Sequence, residues 1–287
     1  MIGLRPLVGF ILGLAPLLAA APGEFQKAEK LYSYTDYDGS LKLLLPLREK
    51  TPEVYELIGK NYYMEGDFKK ATDFLEKAVA ARPGDSEYVL WLGRAYGRRA
   101  ETSSPFTALG NAAKARQYFE KAVQLDPQNL EALNDLFEYY LEAPGFLGGG
   151  LDKAANLIAR ISELDAAEGH YAQARIAERH KEWGTAEYHL RHAADAAPQQ
   201  VGRLIDLARF LAKQGRFQES EQSFERAAKI APNSPKLLYA RADTYIRNGR
   251  NLETARKLLE EYLRADLTPD DPPRSDAEKL LRQVSGG

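Results

Sequence analysis

The 287-residue sequence predicts an all-α fold in which antiparallel helical hairpins follow one another along the chain. Residues 201–234 carry the clearest evidence. Leucines and alanines recur there at spacings of three and four residues, as they do on one face of a helix. Gly215 then permits a tight turn because it lacks a Cβ, and Pro232 ends a second helix. The same pattern recurs along most of the chain, which predicts a stack of hairpins.

The recurring unit is 34 residues long, with large, small, glycine and proline residues at fixed positions. In residues 201–234 these positions are Leu204, Leu207, Ala208, Leu211, Gly215, Ser220, Phe224, Ala227 and Pro232. The pattern resembles the tetratricopeptide repeat. The resemblance implies a right-handed α-solenoid whose first helices line a concave surface, and it implies that this surface binds peptides or extended protein segments.

The first two hairpins follow residue 24. Residues 24–35 and 38–50 predict the helices of the first hairpin, and Pro46 is expected to kink the second helix because proline lacks an N–H donor. The second hairpin has a regular pattern, carried by Tyr55, Ile58, Gly59, Tyr62, Gly66, Phe68, Ala71, Leu75, Ala78 and Pro83.

Two insertions, residues 97–114 and 143–150, separate the helices of the third and fourth hairpins. Ser104 and Pro105 have the residue types of a helix N-cap and first turn, so a long second helix is predicted over residues 106–123. Because all junctions inside hairpins share one edge of such a stack, the two insertions should be neighbours. We expect their apolar residues to form a cluster that either stabilises this insertion edge or binds a partner, namely Phe106, Leu109, Phe146 and Leu147.

The fifth to seventh hairpins complete a single domain, expected over residues 24–287. The first helix of the fifth hairpin is unusual, since His170, Gln173 and Ala177 stand where large apolar residues are expected. Residues 275–284 predict a lone helix with a polar outer face, and such helices cap the ends of solenoids.

Residues 1–23 predict a secretory signal. Arg5 is the only charged residue before an apolar run that ends in small residues. Cleavage after Ala20 or Gly23 and export, to a bacterial periplasm, are expected. The alternative is an uncleaved membrane anchor, although the run contains two prolines and is shorter than the roughly 20 residues that span a bilayer.

Composition narrows the classes of function. The chain has no cysteine, which excludes disulfides, thiolate metal sites and cysteine nucleophiles. A formal net charge of -2 gives no reason to expect a nucleic-acid partner. No Ser-His-Asp arrangement or paired-carboxylate motif stands out, so we expect neither catalytic residues nor a cofactor.

A row of basic residues is the main candidate for a binding surface. Positions 9 and 13 of each first helix lie on one face, away from the apolar stripe. Tyr63, Tyr171 and Tyr239 would add aromatic faces, and Glu138 and Glu142 interrupt the row. On the concave wall this basic track would suit carboxylates of a peptide or a small acid. Its eight members are Lys60, Arg94, Arg98, Arg175, Arg179, Arg209, Lys213 and Arg247.

Each candidate also has a simpler interpretation. Cations late in a helix interact favourably with the helix dipole and with acids one turn earlier, as Lys60 would with Glu56. His189 and His192 could share a metal, but no cysteine or acid completes a ligand set, so ordinary surface histidines and no metal are expected. Glycines 148–150 could offer N–H groups to an anion, although a flexible connection is the simpler interpretation.

These observations favour a non-catalytic binding scaffold of the cell envelope, which engages a protein or peptide through its concave surface and insertion edge. A second hypothesis is an accessory protein of an envelope transport system, whose helical arc closes around a small acidic ligand. An open basic groove would favour the first hypothesis. A pocket enclosed by the arginines would favour the second.

Overall fold

The computed structural model of the protein describes residues 22–285. This part of the chain forms fifteen α-helices and one 3-10 turn, and it contains no β-strand. In chain order the elements are α1 (Pro22–Ser33), α2 (Tyr37–Leu44), α3 (Pro52–Met64), α4 (Phe68–Ala81), α5 (Ser86–Thr102), α6 (Pro105–Leu125), α7 (Leu130–Glu142), the 3-10 turn Gly145–Leu147, α8 (Leu151–Leu164), α9 (Ala166–Arg179), α10 (Trp183–Ala196), α11 (Val201–Lys213), α12 (Phe217–Ile230), α13 (Pro235–Arg247), α14 (Leu252–Tyr262) and α15 (Arg274–Ser285).

Consecutive helices pack in pairs, from α1 with α2 to α13 with α14. First helices of successive hairpins also touch one another, as α3 does with α5 and α11 with α13, so that the hairpins form a stack. The last helix, α15, packs on α13 and α14 and covers the end of the stack. The predicted all-α solenoid is therefore confirmed.

Small residues let the two helices of a hairpin approach closely. A Cβ on Gly59 in α3 would lie 2.5 Å from Leu75 Cγ in α4, and a Cβ on Gly93 in α5 would lie 2.8 Å from Phe119 Cδ1 in α6. In the sixth hairpin Phe224 is completely buried, as its place in the repeat predicts. The repeat pattern thus marks the contacts that form each hairpin.

Local hydrogen bonds define where many helices begin. Asp67 Oδ1 accepts from Lys70 N at 3.1 Å at the start of α4, and Asp85 Oδ1 accepts from Glu87 N at 3.0 Å at the start of α5. Gly215 turns the chain between α11 and α12 with a φ of 76°, which disfavours any side chain. The aspartates and glycines at the helix ends of the repeat are therefore explained by the hydrogen bonds and backbone angles that those positions require.

The second helix of the first hairpin is shorter than predicted. The sequence predicts a kinked helix up to residue 50, but α2 ends at Leu44. Pro46 has no N–H to donate to the carbonyl four residues earlier, and its ring clashes with that carbonyl. Because only four residues follow it, the helix ends instead of continuing beyond a kink.

The third hairpin does contain a long second helix. α6 has 21 residues and begins at Pro105, with Ser104 at the N-cap position. The Ser104 side chain makes no capping hydrogen bond, and its Oγ lies 3.3 Å from Thr107 Oγ1 instead. The start of α6 is thus set by the backbone and by proline.

The predicted secretory signal falls largely on residues 1–21, which lie outside the described residues, while Pro22 and Gly23 begin α1. Between residues 22 and 285, no helix has the length and apolar character needed to cross a membrane.

The connection between α14 and α15 brings the two ends of the stack together. We call residues 267–273 the closing segment. Leu267 is buried in the last hairpin, and the hydroxyl of Tyr262 donates to the Pro272 carbonyl. The segment and the first residues of α15 share a cavity of about 200 Å³ with Thr35, Tyr37 and Met64 of the first two hairpins. The closing segment therefore lies beside the first two hairpins.

Candidate binding surface

Most residues of the basic track are held by carboxylates on neighbouring first helices. Lys60 Nζ in α3 lies 2.7 Å from Glu87 Oε1 in α5, and the predicted pair within α3 is also present, at 2.5 Å from Glu56 Oε1. The other pairs that track residues form between first helices are Arg94–Asp135 (2.5 Å), Arg94–Glu131 (2.9 Å), Arg175–Glu138 (2.7 Å), Arg175–Glu142 (2.9 Å), Arg179–Glu142 (3.3 Å) and Lys213–Glu178 (3.2 Å). These ion pairs connect successive repeats.

The two acids that interrupt the track have a structural role. Glu138 and Glu142 in α7 accept hydrogen bonds from Nη1 and Nη2 of Arg175 in α9, and Glu142 also accepts one from Arg179. Burial raises the pKa of Glu138, whereas Arg175 acts in the opposite direction. The arginines of the fifth hairpin are therefore largely neutralised by the fourth.

Two further members of the track pair within their own helices. Arg98 pairs with Glu101 in α5, and Arg247 Nε lies 2.8 Å from Asp243 Oδ2 in α13. The Arg247 side chain is nevertheless 76% exposed, so its charge remains accessible. The Arg247 pair matches the simpler interpretation, in which the acid lies one turn earlier, whereas Glu101 lies three residues after Arg98.

Arg209 is the exception in the basic track. It is exposed and, within the described part of the chain, its guanidinium has no carboxylate within ion-pair distance, unlike the other seven members. It lines a cavity of about 590 Å³ with Lys213, Asp243 and Arg247, and a second cavity of about 520 Å³ on the other side. We call these two adjoining cavities the Arg209 groove.

The second cavity brings together two of the three predicted tyrosines. Tyr171 from α9 and Tyr239 from α13 line it together with Arg203 and Lys236. Burial raises the pKa of Tyr171, so its hydroxyl stays protonated and available as a hydrogen-bond donor. The groove thus combines aromatic walls with cations.

Tyr63 belongs to a different part of the surface. Its ring packs edge-on against Phe68 and Trp91, with both centroids at 5.5 Å. Tyr63 lines a mainly apolar cavity of about 510 Å³ between α5, α6 and α7, whose lining also includes Arg94, Arg98, Phe119, Tyr139 and Leu147. The predicted site residues therefore divide between two places, and the structure does not unite them in one continuous track.

The predicted cluster at the insertion edge is not formed. Phe106 is 95% exposed, Phe146 is 79% exposed and Leu109 is 51% exposed. Leu147 is partly buried because the 3-10 turn packs further along α6, where Tyr139 Oη lies 3.0 Å from the Leu147 carbonyl and 3.1 Å from the Ala112 carbonyl. The insertions are neighbours, but the loop stops short of the first turn of α6.

The glycine loop before α8 does not present free N–H groups. Gly148 N donates to Gly145 O at 2.9 Å, and Gly150 N donates to Tyr140 O at 2.8 Å. Gly149 N donates to Pro144 O at 3.2 Å. The loop is a hydrogen-bonded turn in which all three glycine N–H groups already have an acceptor.

Three of the four histidines meet between α9 and α10. His170 Nδ1 lies 3.1 Å from His189 Nδ1, and the ring centroids of His170 and His192 are 5.4 Å apart. Burial and the two neighbouring histidines lower the pKa of His189. Across residues 22–285 no group of three or more potential ligands is arranged to hold a metal ion. The contact of His170 with the other two is invisible in the spacing along the chain.

Several residues of the Arg209 groove are absent from the predicted set. Arg203 and Lys236 lie at the starts of first helices, whereas the basic track was defined from helix ends. Asp270, Asp271 and Pro272 belong to the closing segment and line the same cavity. One sequence signal could have indicated them: two adjacent acids lie between prolines in the connection before the last helix.

Comparison with known families agrees with the architecture. Residues 56–129 and residues 211–283 each match a family model described as a tetratricopeptide repeat, and together they make up just over half of the chain. The chain is a tetratricopeptide-repeat protein. This confirms the resemblance seen in the sequence. Among curated proteins, none matches the chain significantly.

Two solved structures show the same fold. A tetratricopeptide-repeat protein from Parabacteroides merdae is 12% identical, with a TM-score of 0.58 over 92% of this chain and 98% of that one. A thermophilic tetratricopeptide-repeat protein from Thermus thermophilus is 19% identical, with a TM-score of 0.54 over 66% of this chain and 97% of that one. At these identities the likeness shows the fold of this tetratricopeptide-repeat protein and no more.

Proposed function

We propose that this tetratricopeptide-repeat protein is a non-catalytic scaffold that binds an acidic, extended peptide of a partner protein in the Arg209 groove. Tetratricopeptide repeats generally mediate protein–protein interaction and are not enzymes, which supports the coarser part of the proposal. The observation that carries the finer part is the lone guanidinium of Arg209 between two cavities. A ligand carboxylate would give Arg209 the partner that the other cations already have.

The residues around Arg209 suit such a ligand. Lys213 and Arg247 flank it on one side, and Lys236 lies on the other. Tyr171 and Tyr239 offer aromatic surface for the apolar parts of a peptide. The groove crosses α9, α11 and α13, so an extended segment several residues long would contact three repeats.

Binding of a labelled glutamate-rich peptide tests this proposal. Arg209→Ala should weaken binding about fivefold, as the loss of one partly exposed charge pair of ~1 kcal/mol would, and the difference should shrink as ionic strength rises. The measurement is a fluorescence anisotropy titration at two salt concentrations. Arg98→Ala is the control, since Arg98 pairs with Glu101 and lines the mainly apolar cavity of about 510 Å³, outside the Arg209 groove. Equal affinity of wild type and Arg209→Ala would contradict the proposal.

Arg175 and Arg179 should contribute less to binding than Arg209. Both are held by carboxylates of α7, so a ligand would have to displace an existing ion pair. Lys60 and Arg94 are held in the same way.

The second hypothesis, a small acidic ligand enclosed by the arc, is favoured by the contact between the two ends of the stack. The cavity of about 520 Å³ has the size of a small-molecule site. Competition distinguishes the two hypotheses: a dicarboxylic acid that displaces the peptide completely at low concentration would favour the small ligand.

The insertion edge is a second proposed binding surface, because Phe106 and Phe146 are large apolar side chains left exposed. We also propose export to the cell envelope, supported by the signal-like residues 1–23. N-terminal sequencing of the mature protein should then begin at Ala21 or Glu24, and an intact Met1 would contradict export.

A further inference from the structure

The closing segment is firmly held at both of its ends. Leu267 is 5% exposed and packs with Tyr262 and Ala277 in the last hydrophobic cluster. Thr268 N donates to Asp271 Oδ2 at 3.0 Å, which folds the segment into a tight turn. The segment is therefore an ordered part of the surface, and its acidic residues lie between the held ends at Leu267 and Pro272.

The turn places two carboxylates opposite the cations of the groove. Asp270 and Asp271 line the cavity of about 520 Å³ together with Arg203, Arg209 and Lys236. Within residues 22–285 neither aspartate forms an ion pair, so the two charges face the cations across open space. On the wall formed by the helices, Arg203 is paired with Glu168 and with Asp206, which lines the cavity too. Arg209 and Lys236 are therefore the cations of this wall that have no ion pair within residues 22–285, and they lie opposite the acidic closing segment.

The other side of the same turn faces the first two hairpins across a smaller cavity. Asp271 and Pro272 line the smaller cavity with Thr35, Tyr37 and Met64. Burial, followed by the charges of Asp270 and Asp271, raises the pKa of Tyr37 to about 12. The closing segment therefore crosses the open side of the concave surface, from the last hairpin to the first.

We infer that the closing segment is an internal acidic competitor for the Arg209 groove. This inference rests on the proposed function and names the ligand more closely, as an acidic segment with flanking prolines like the chain's own Thr268-Pro269-Asp270-Asp271-Pro272-Pro273. Its carboxylates lower the attraction that the cations exert on a second acidic segment. A partner therefore binds fully only when the closing segment moves away.

A synthetic peptide with the sequence of residues 266–274 is the probe that tests this inference. Asp270→Asn removes one charge with little change of shape, and Asp270 makes no hydrogen bond among the described residues that the change would break. The variant should bind the peptide about two- to fivefold more tightly than wild type, with a difference that falls at high salt. Asp266→Asn is the matched control, because Asp266 lies in the same connection but lines neither cavity.

The outcomes separate the two proposals. If neither wild type nor Asp270→Asn binds the peptide or a glutamate-rich peptide, the proposed function fails, and the inference fails with it. If both bind a peptide equally well, the groove is a binding site but the closing segment is not a competitor.

A distance measurement gives an independent readout. The chain lacks cysteine, so Met64→Cys in α3 and Pro269→Cys in the closing segment can carry two spin labels without other changes. The distance between the labels should increase when a saturating acidic peptide is added. An unchanged distance with the peptide bound would overturn the inference.

Discussion

At the scale of single residues, three glycines show how tightly the hairpins are packed. Gly59 and Gly93 occupy the same position of their repeats, and Gly97 occupies a different one. Gly59 and Gly93 face a large side chain at less than contact distance for a Cβ, whereas a Cβ on Gly97 would meet only Ala115 Cβ at 4.0 Å. The first two positions need glycine because of close approach, and the third does not. Helix propensity alone would favour alanine at all three.

Gly59→Ala should therefore destabilise the protein. The new methyl group would overlap the buried Leu75, and overpacking of this kind costs about 1–3 kcal/mol, partly offset by the gain in helix propensity. Gly97→Ala, the matched control in α5, should leave stability unchanged or raise it by about 1 kcal/mol. Urea unfolding of both variants measures the difference. A Gly59→Ala protein as stable as Gly97→Ala would show that the hairpin is less tightly packed.

At the scale of elements, the contact between α9 and α10 makes the fifth hairpin sensitive to pH. His189 has a lowered pKa in the folded protein, first because of burial and then because of His170 and His192. Below the ordinary histidine pKa of 6.5, the unfolded chain therefore binds more protons than the folded one. The stability that neutral His189 provides is present above this value and is lost as pH falls below it.

His189→Gln should make stability less dependent on pH between about pH 8 and about pH 5, because the variant lacks the imidazole whose pKa is lowered by burial and by His170 and His192. The free energy of unfolding, measured by urea titration at both pH values, checks this. His180→Gln is the control, since His180 lies ten residues along the chain from His170, at the end of α9. If both variants lose as much stability in acid as wild type does, the histidine contact is not the cause.

The sequence predicted most elements because repeat positions report local geometry. Its errors have physical reasons. Pro46 was expected to kink the helix, but α2 ends at Leu44. The few residues beyond Pro46 would form too few helical hydrogen bonds to make up for the cost of continuing the helix. The contact expected between Phe106 and Phe146 depends on how far a loop reaches along α6, which spacing cannot give.

At the scale of the whole molecule, the basic track shows that ion pairs between repeats cannot be predicted from spacing along one helix. Spacing along one helix identified Lys60 with Glu56, but the pairs between repeats, such as Lys60 with Glu87, depend on how first helices are placed side by side. The same holds for Arg209, whose lack of an acidic partner within residues 22–285 becomes visible only when every neighbouring helix is in place. Residue types indicated the candidate site, and tertiary structure decided which cations are available.

Stability should be distributed along the stack. Phe224→Ala should cost about 3–5 kcal/mol, because Phe224 is completely buried in a cluster that joins α11, α12 and α13. Because each hairpin contacts mainly its neighbours, amide hydrogen exchange should increase most in the sixth and seventh hairpins. Phe106→Ala is the control and should leave the urea midpoint unchanged, since that side chain is 95% exposed. Equal midpoints for all three proteins would contradict this placement of Phe224.

The contact between the closing segment and the first hairpin also restricts how this protein can change in length. A stack with free ends can gain or lose a whole repeat at the cost of one interface. Here the loss of one hairpin would shorten the stack and reduce its superhelical rotation. Pro272 would then no longer lie beside Tyr37 and Met64. Additions inside a hairpin, like those of the third and fourth, leave this geometry intact. We therefore expect natural variation in length to accumulate at the insertion edge, while the number of hairpins stays at seven.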